Sequence, residues 1–415
     1  MAFLRMEYSV TSDMASIAHR KTEFDDRRAV SISLYLAIVG YGVLVGIPVI
    51  STAWVTQLGF TEMQVGRVAG ADLGGLSVGA VFASLLIRRL NRRWLVAGAI
   101  ATTVAANGLC MIFVEYGAVL FLRLIAGFGS GIYTAIAVAS LGATSRPARA
   151  YNIMLFIFAF SQAFELQVLP QLSINGIYFV FVAFNLAALP FLSWLPARAS
   201  TTGLDVEVEE VDHTGQRSST SVVVPAYVPW LCLAAIAATY VNIGAYWTYI
   251  ELASLASPVT DPDWVGRVLV WASFLSIVGC LVATVISNRY GLARPLLITL
   301  VSHAVIVGML AFGINNINIV ISLFMFNFLW IFIDVYQSAT VANVDKSGRY
   351  AALMPAAVGF GQILGPNIAA SILGFGLGYG SVFLMSAVAS LTAMSIYGYM
   401  YLRLRQIIPA LADAS

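Results

Sequence analysis

Two stretches of the chain carry the same four residues, Val65-Gly66-Arg67-Val68 and Val265-Gly266-Arg267-Val268, 200 positions apart. Further along, Arg89 and Arg289 stand at the same offset, each after the apolar run that the four residues open. Two matches at one offset predict an internal repeat. Because each copy contains six apolar runs, equivalent helices run in the same direction, which is the parallel type of repeat.

The apolar runs around these stretches predict a membrane protein. Apolar residues make up 60% of the 415 residues and charged residues only 10%, against about 25% charged in an average soluble domain. A membrane-crossing helix needs about 20 predominantly apolar residues. The sequence therefore predicts an all-α membrane protein with twelve transmembrane helices, called spans 1 to 12, in two six-helix bundles related as parallel repeats. The runs lie near 30–55, 62–87, 94–114, 117–143, 150–170, 175–195, 226–252, 264–287, 292–313, 317–341, 350–374 and 380–402.

The basic residues indicate the orientation of the spans, because Arg and Lys concentrate in cytoplasmic loops. Nineteen of the 22 basic residues lie in the two tails or in every second loop. This alternation predicts a multi-pass protein of the cell (plasma or inner) membrane with both termini cytoplasmic. The predicted segments are an N-terminal tail, an N-terminal bundle, a cytoplasmic acidic linker, a C-terminal bundle and a C-terminal tail, at 1–28, 29–195, 196–224, 225–404 and 405–415.

The composition argues against several other functions. A net charge of +2 without a basic, aromatic-laced patch does not suit a nucleic-acid partner. Cys110, Cys232 and Cys280 lie inside apolar runs and have no metal-ligand spacing. The sequence contains no phosphate-binding loop. We therefore expect no enzymatic activity, no metal and no cofactor.

Two motifs resemble those of the major facilitator superfamily. They are the loop after span 2, Arg88-Arg89-Leu90-Asn91-Arg92-Arg93, and the span 4 segment Arg123-Leu124-Ile125-Ala126-Gly127-Phe128-Gly129-Ser130-Gly131. The loop signature of the family usually reads Gly-x-x-x-Asp-Arg-x-Gly-Arg-Arg, and the span 4 motif reads Arg-x-x-x-Gly-x-Gly. The resemblance covers essentially the whole chain. It implies two bundles that rock around a central site by alternating access.

The loop signature departs from the family pattern at its acidic position. Arg88 stands at the Asp, and in the second copy Asn288 does so. Since the family's Asp helps to latch the cytoplasmic side, that latch is in doubt here or is carried by other residues. The positions assigned to the gate and signature loop are Arg67, Arg267, Arg89, Arg92, Arg93, Asn288, Arg289 and Gly291. Those assigned to helix packing are Gly127, Gly129, Gly131, Gly365 and Pro366.

Seven charged residues lie within the spans, where a charge costs roughly 2.5–3.5 kcal/mol on insertion scales and usually marks a pathway. They are Arg67, Asp72, Arg123, Glu165, Glu251, Arg267 and Asp334. Asp334 is the leading candidate for proton coupling, because burial among aromatic residues disfavours the charged form of a carboxyl. Asp72 and Glu165 are further candidates.

Arg123 admits two interpretations. Its guanidinium can hold a substrate carboxylate by a bidentate fork, or it can form a gating salt bridge, for example with Glu165. Asp72 and Arg67 are five residues apart, about 140° around a helix, so each needs a partner elsewhere. Aromatic and amide groups of spans 7 and 10 suit an organic solute. With Arg123, the candidates for substrate binding are Asn242, Tyr246, Asn327, Trp330, Tyr336 and Gln337.

The sequence thus predicts a secondary transporter of a small organic solute, an organic anion or an aromatic compound, coupled to protons. An efflux antiporter for hydrophobic drugs or metabolites is an alternative, although span 5 ends in Leu169-Pro170 without the Gly-Pro pair of the antiporter signature. A non-transporting membrane receptor or scaffold is another. The expected partners are the solute, protons and the lipid bilayer, and the fold implies a functional monomer. Substrate identity, transport direction and coupling ion stay open.

Overall fold

The structure is a computed structural model that describes residues 23–87, 89–198, 225, 227–290, 292–344, 350 and 353–407. Every regular element of these residues is helical. The spans are Arg27–Leu58, Glu62–Leu86, Arg92–Cys110, Tyr116–Gly142, Pro147–Val168, Ile174–Ala188, Val228–Ala256, Pro262–Ser273 continued by Leu275–Tyr290, Ala293–Gly308, Asn316–Val344, Met354–Gly374 and Gly378–Ile407. Short 3-10 turns lie at Glu23–Asp25, Leu169–Gln171, Leu189–Trp194 and Met309–Phe312.

These helices confirm the predicted fold class. Eleven helices of the described residues are long and apolar enough to cross a membrane. Span 3 is shorter, at 19 residues, and begins with two arginines, but it packs against spans 4 and 6 as a member of the bundle. Span 8 was predicted as one run, and the structure interrupts it at Phe274. The predicted tails and the linker fall almost entirely outside the described residues.

The helices pack as two similar halves, the N-terminal half of spans 1 to 6 and the C-terminal half of spans 7 to 12. Span 4 packs on spans 2 and 3, and the equivalent span 10 packs on spans 8 and 9. Contacts between the halves join span 2 to span 11, span 5 to span 8, and span 1 to span 7. The repeat makes span 2 equivalent to span 8 and span 5 to span 11, so the first two contacts are equivalent to each other. The contact of span 1 with span 7 is equivalent to itself, as a parallel repeat requires.

The glycines of span 2 serve these two kinds of packing. A Cβ at Gly70 or Gly74 would collide with Asn367 or Ile363 of span 11, in the other half. A Cβ at Gly75 would overlap a backbone carbonyl of span 4, in the same half. Small residues let helix backbones approach closely. Span 2 is therefore pressed between its own half and the partner half.

The connections between the halves lie toward one face of the molecule. The face that contains residues 23 and 407 is called the terminal face. The other face, which contains the connection between spans 1 and 2, is called the opposite face. Tyr249 donates a hydrogen bond to the Glu62 carbonyl at 2.8 Å, and Tyr379 donates one to the Glu62 carboxylate at 2.5 Å. Trp247 donates one to the Leu44 carbonyl at 3.1 Å. The described residues thus close the molecule at the opposite face.

Candidate functional site

One carboxylate stands at the centre of the molecule. Asp334 lies in span 10 and is half-buried. The Tyr240 hydroxyl of span 7 donates to both of its oxygens, at 2.9 and 3.0 Å. The indole N–H of Trp330, one helical turn away, interacts with the same carboxylate in a geometry that falls short of a hydrogen bond. Two aromatic side chains therefore hold the acid from within the C-terminal half.

The N-terminal half contributes a third aromatic ring. Tyr41 of span 1 lies near Asp334 and Tyr240, across the interface between the halves. Its ring packs edge-on against Phe158 of span 5 at 5.9 Å between centroids. Asp334, Tyr240, Trp330 and Tyr41 together are called the central site. It lies between the two bundles and contains groups from both.

The central site contains a carboxyl group without a cationic partner among the described residues. Among the described residues the ion pair is that of Asp72 with Arg123, and Asp334 takes part in none. A lone charge in the hydrocarbon region is costly, so a carboxylate there either binds a proton or pairs with a cationic or hydrogen-donating ligand. The central site can thus bind either a proton or a ligand that is cationic or donates hydrogen bonds.

Two predicted neighbours of Asp334 lie on the buried side of span 10. The Gln337 amide donates to the Thr239 hydroxyl at 2.7 Å, and its oxygen has no partner among the described residues. Tyr336 is fully buried and stacks on Phe332 at 4.8 Å between centroids, and its hydroxyl likewise lacks a partner there. Both residues stay candidates, supporting span 10 from behind the site.

Arg123 and Asp72 lie apart from the central site, inside the N-terminal half. The Nε of Arg123 donates to Asp72 at 2.7 Å, and a second guanidinium nitrogen pairs with the same oxygen. The third nitrogen donates to the Asn107 amide oxygen at 2.7 Å. The two charged side chains are only 1% and 2% exposed. The guanidinium is therefore committed to span 2 and span 3, and its partner is Asp72 instead of Glu165.

An aromatic wall closes this ion pair on its far side. The guanidinium carbon of Arg123 lies 5.7 Å from the centre of the Tyr178 ring. The Trp54 indole donates to the Tyr178 hydroxyl at 2.9 Å. Both rings are buried. No path for a solute reaches Arg123 among these contacts, so the arrangement favours a structural role for it.

Glu165 is a third buried carboxyl, in span 5. It packs against span 1, where a Cβ at Gly42 or Gly46 would come within 3.2 or 2.9 Å of its oxygens. One oxygen accepts from the Ser161 hydroxyl at 3.5 Å, and the other has no partner among the described residues. A notch of two glycines therefore holds this carboxyl, and no cation lies beside it in the described chain.

The remaining substrate candidates are packed within the C-terminal half or between the halves. The Asn242 amide contacts the His303 ring at 3.1 Å, and the Tyr246 hydroxyl contacts Ser322 at 2.8 Å. Both candidates are fully buried. Asn327 accepts a hydrogen bond at 3.5 Å from Gln162 of the other half. Only Trp330 of the predicted substrate residues contacts the carboxylate of the central site.

The signature-loop arginines make contacts inside the N-terminal half. Arg92 donates to the Ser140 hydroxyl at 3.1 Å, and Arg93 donates to the Leu195 carbonyl at 2.6 Å. Arg89 is exposed. The side chains of Asn288 and Arg289, and Gly291 altogether, lie outside the described residues. The loop thus ties span 3 to the ends of spans 4 and 6.

The two repeat-related arginines behave differently. Arg67 of span 2 donates to Asn367 at 2.7 Å and to Ser371 at 2.9 Å, both on span 11. Arg267, its equivalent on span 8, is exposed. Of these two arginines, Arg67 links the halves by hydrogen bonds and Arg267 does not. The symmetry of the sequence therefore does not extend to this contact.

The glycines assigned to helix packing lie where backbones touch. A Cβ at Gly127 or Gly131 would overlap a carbonyl of span 2, and one at Gly129 would meet span 3. A Cβ at Gly365 would meet the backbone of span 7, and Pro366 lies inside span 11 beside it. These positions hold spans 4 and 11 against their neighbours.

Tyr41 is the member of the central site that the sequence did not suggest. A single tyrosine in an apolar run gives no sign of which way it faces. Tyr240 lies in span 7, whose aromatic residues the sequence singles out, but its contact with Asp334 depends on the rotation of two helices. By contrast, the Asp72–Arg123 pair leaves a signal. Asp72 is the eleventh residue and Arg123 the eighth of helices that start at the same face.

Comparison with known proteins decides the family. The family model described as Major Facilitator Superfamily matches residues 30–366, most of the chain. The chain belongs to the major facilitator superfamily. Members of this superfamily are membrane transporters, so the protein is a multi-pass membrane protein of a transporter family and is not expected to be an enzyme. No curated protein sequence matches it significantly.

Solved transporter structures share the fold. The nucleoside transporter NupG has a TM-score of 0.66 at 14% identity, covering 90% of this chain and 99% of its own. A mutant of NupG has a TM-score of 0.69 at 13% identity, with 90% and 98% covered. The human organic anion transporter MFSD10 (TETRAN) has a TM-score of 0.61 at 14% identity, covering 90% and 99%. At such low identity these likenesses establish the fold only.

Proposed function

We propose that the protein is a proton-coupled secondary transporter and that the central site binds both the proton and the solute. The observation that carries the proposal is Asp334, a carboxyl between the two bundles that accepts hydrogen bonds from Tyr240 and has no cation beside it among the described residues. Alternating access requires a site near the middle of the membrane at the interface of the repeats. The central site has this position.

The charges of the site favour one class of solute over another. The reason to expect an organic anion was Arg123, and that guanidinium is bound to Asp72 and Asn107. The central site has a carboxyl group and no cation among the described residues, so it offers no group that would hold an anionic solute. A neutral or cationic solute that donates hydrogen bonds would supply Asp334 with the donors that the protein does not provide. We therefore assign a neutral or cationic solute to this site.

The aromatic residues around Asp334 add a preference for a flat ring. Tyr41, Tyr240 and Trp330 present ring surfaces, and aromatic rings attract one another in offset or edge-on arrangements. A solute with a flat heterocycle and several hydroxyl or amino groups would satisfy both the rings and the carboxylate. Nucleosides have this chemistry, and they are the first class that we would test. The likeness of the fold to NupG makes the same suggestion but does not establish it.

Closure at the opposite face supports the proposed mechanism. Arg67, Tyr249 and Tyr379 join the halves there by hydrogen bonds. In this arrangement the solute would reach the central site from the terminal face. Transport would then require these contacts to break while others form at the terminal face.

A thermal-unfolding screen of the detergent-purified protein tests the substrate class. A ligand that binds only the folded state stabilises it by RT ln(1 + [L]/Kd), about 2.7 kcal/mol at 100 times Kd. We expect nucleosides or amine-bearing heterocycles to raise the melting temperature, and organic acids to leave it unchanged. The rise should vanish in Asp334→Asn and persist in Glu115→Gln, a matched change at an exposed helix start. A response to organic acids alone would overturn the assignment.

Export of hydrophobic cations is the second candidate function. The same unpaired carboxylate among aromatic rings suits a flat organic cation, and proton exchange at Asp334 would drive it outward. The two candidates differ in direction. Cells that express the protein would gain resistance to a toxic cation in the second case, and would accumulate a labelled nucleoside in the first.

A further inference from the structure

A groove on the side of the molecule lies between spans 2, 4 and 11. Its volume is about 460 Å³, and its walls include Arg67, Gly70, Gly74, Val78, Gly117, Phe121 and Leu124. Val78, Phe121 and Leu124 are 54%, 61% and 41% exposed. In a membrane-spanning region, exposed apolar side chains face lipid. We call this feature the lateral groove, and it is separate from the central site.

One end of the lateral groove carries a positive charge. Arg67 is half-buried there and uses two of its nitrogens to bind neutral groups of span 11. A guanidinium has five N–H donors, so three stay available. No ion pair of Arg67 with a carboxylate occurs in the described part of the chain. The guanidinium in this position can therefore bind an anion from outside the protein.

The length of the lateral groove matches one leaflet of a bilayer. Arg67 is the sixth residue of span 2, close to the opposite face, and Val78 lies eleven residues deeper. At 1.5 Å per residue this distance is about 16 Å. Half of a hydrocarbon core of about 30 Å is about 15 Å. An acyl chain whose headgroup lies at Arg67 would therefore reach the bilayer midplane along the groove.

We propose that the lateral groove binds one anionic phospholipid, with its phosphate at Arg67 and one acyl chain along the glycine-lined wall of span 2. Arginine binds phosphate oxygens by charge-assisted and often bidentate hydrogen bonds. Because Arg67 also donates to Asn367 and Ser371, the bound headgroup would join the two halves at the opposite face. The lipid would thus stabilise closure of that face. This inference concerns lipid binding and is independent of the solute.

Native mass spectrometry of the detergent-purified full chain tests the proposal. The protein is incubated with equal amounts of phosphatidylglycerol and phosphatidylcholine, and the retained lipid is counted. We expect one phosphatidylglycerol per protein in preference to phosphatidylcholine. Arg67→Gln should lower its retention about tenfold, since the loss of about 1.4 kcal/mol of binding free energy is a factor of ten. Arg267→Gln, the repeat-related control, should leave retention unchanged.

A second variant keeps the test decisive if Arg67→Gln also weakens the fold. A Cβ at Gly117 would meet no atom within 4 Å. Gly117→Leu therefore has room to extend into the groove and leaves Arg67 in place. We expect it to lower lipid retention while the melting temperature without lipid is unchanged. Equal retention in wild type, Arg67→Gln and Gly117→Leu would overturn the proposal. If inorganic phosphate displaces the lipid completely, the groove binds an anion and does not hold the acyl chain, and the proposal is wrong in that part.

Discussion

Each half of the protein contains a buried aspartate near the middle of the membrane, and the two differ in their partners. Asp72 of the N-terminal half is 2% exposed and paired with Arg123. Asp334 of the C-terminal half is half-buried and contacts Tyr240, without a cation among the described residues. The pair is shielded inside one bundle, whereas the lone acid lies between the two bundles.

This difference separates a structural acid from one available for function. Removing one partner of a buried ion pair leaves an uncompensated charge, so such a pair resists change. A carboxylate without a cation has no such commitment, and it can exchange a proton or a ligand as its surroundings change. The sequence places both aspartates within spans, and only their partners distinguish them. Four substitutions test the distinction.

The largest effect is expected from Arg123→Gln. It leaves Asp72 buried without its cation, and breaking a buried pair in this way costs roughly 3–5 kcal/mol. We expect a large fall in the melting temperature of the detergent-purified protein. The double variant Asp72→Asn with Arg123→Gln removes both charges and should recover much of the loss. A single variant that melts like the wild type would contradict the structural role of the pair.

Gly127→Ala tests how tightly the paired region is packed. A Cβ there would overlap the Asp72 carbonyl and come within 2.9 Å of its carboxylate. Overpacking of a tight contact costs roughly 1–3 kcal/mol, so we expect a clear loss of thermal stability. Gly117→Ala on the same helix is the control, because its Cβ meets nothing within 4 Å. Equal melting of the two variants would show that the packing can relax.

Tyr240→Phe removes the hydroxyl that donates to Asp334. Because Asp334 is half-buried, we expect a stability change of about 1 kcal/mol or less, near the ordinary net value of a hydrogen bond. Solute binding should weaken more than stability, which a ligand titration followed by thermal unfolding measures. Tyr336→Phe is the matched control, since its hydroxyl has no partner among the described residues. Equal affinity in both variants would argue that Tyr240 does not orient the acid.

The smallest effect on stability is expected from Glu165→Gln. The amide has nearly the same size, and the carboxylate it replaces has one oxygen without a partner among the described residues. A buried carboxyl without a cation takes up a proton instead of holding a charge. The amide resembles that neutral acid, so stability should stay within about 1 kcal/mol. Transport coupled to a pH gradient should continue. Complete loss of this coupled transport would instead assign the proton-binding role to Glu165.

The repeat, the apolar runs and the family motifs were enough to predict the fold. The contacts of the central site were not predictable in the same way, because they depend on how helices rotate about their axes. Asp334 could be selected from its neighbours in sequence, but Tyr41 could not. The partner of Arg123 was within reach, since two helices that start at one face place Asp72 and Arg123 about three residues apart in depth.

The repeat also shows a limit of symmetry. Arg67 and Arg267 lie in the same four-residue sequence, yet Arg67 forms hydrogen bonds across the halves and Arg267 is exposed. Span 8, which carries Arg267, is interrupted at Phe274, whereas span 2 is continuous. Equivalent positions of a repeat therefore share a fold and need not share a contact.

Uptake into proteoliposomes tests the central claim most directly. Solute accumulation driven by an imposed pH gradient is compared with solute exchange at equal pH, for wild type, Asp334→Asn and the control Glu115→Gln. We predict that Asp334→Asn loses gradient-driven accumulation, while Glu115→Gln behaves like the wild type. If solute exchange persists in Asp334→Asn, the role of Asp334 is proton coupling alone. If exchange is lost as well, Asp334 also takes part in solute binding. Undiminished gradient-driven accumulation in Asp334→Asn would contradict the account.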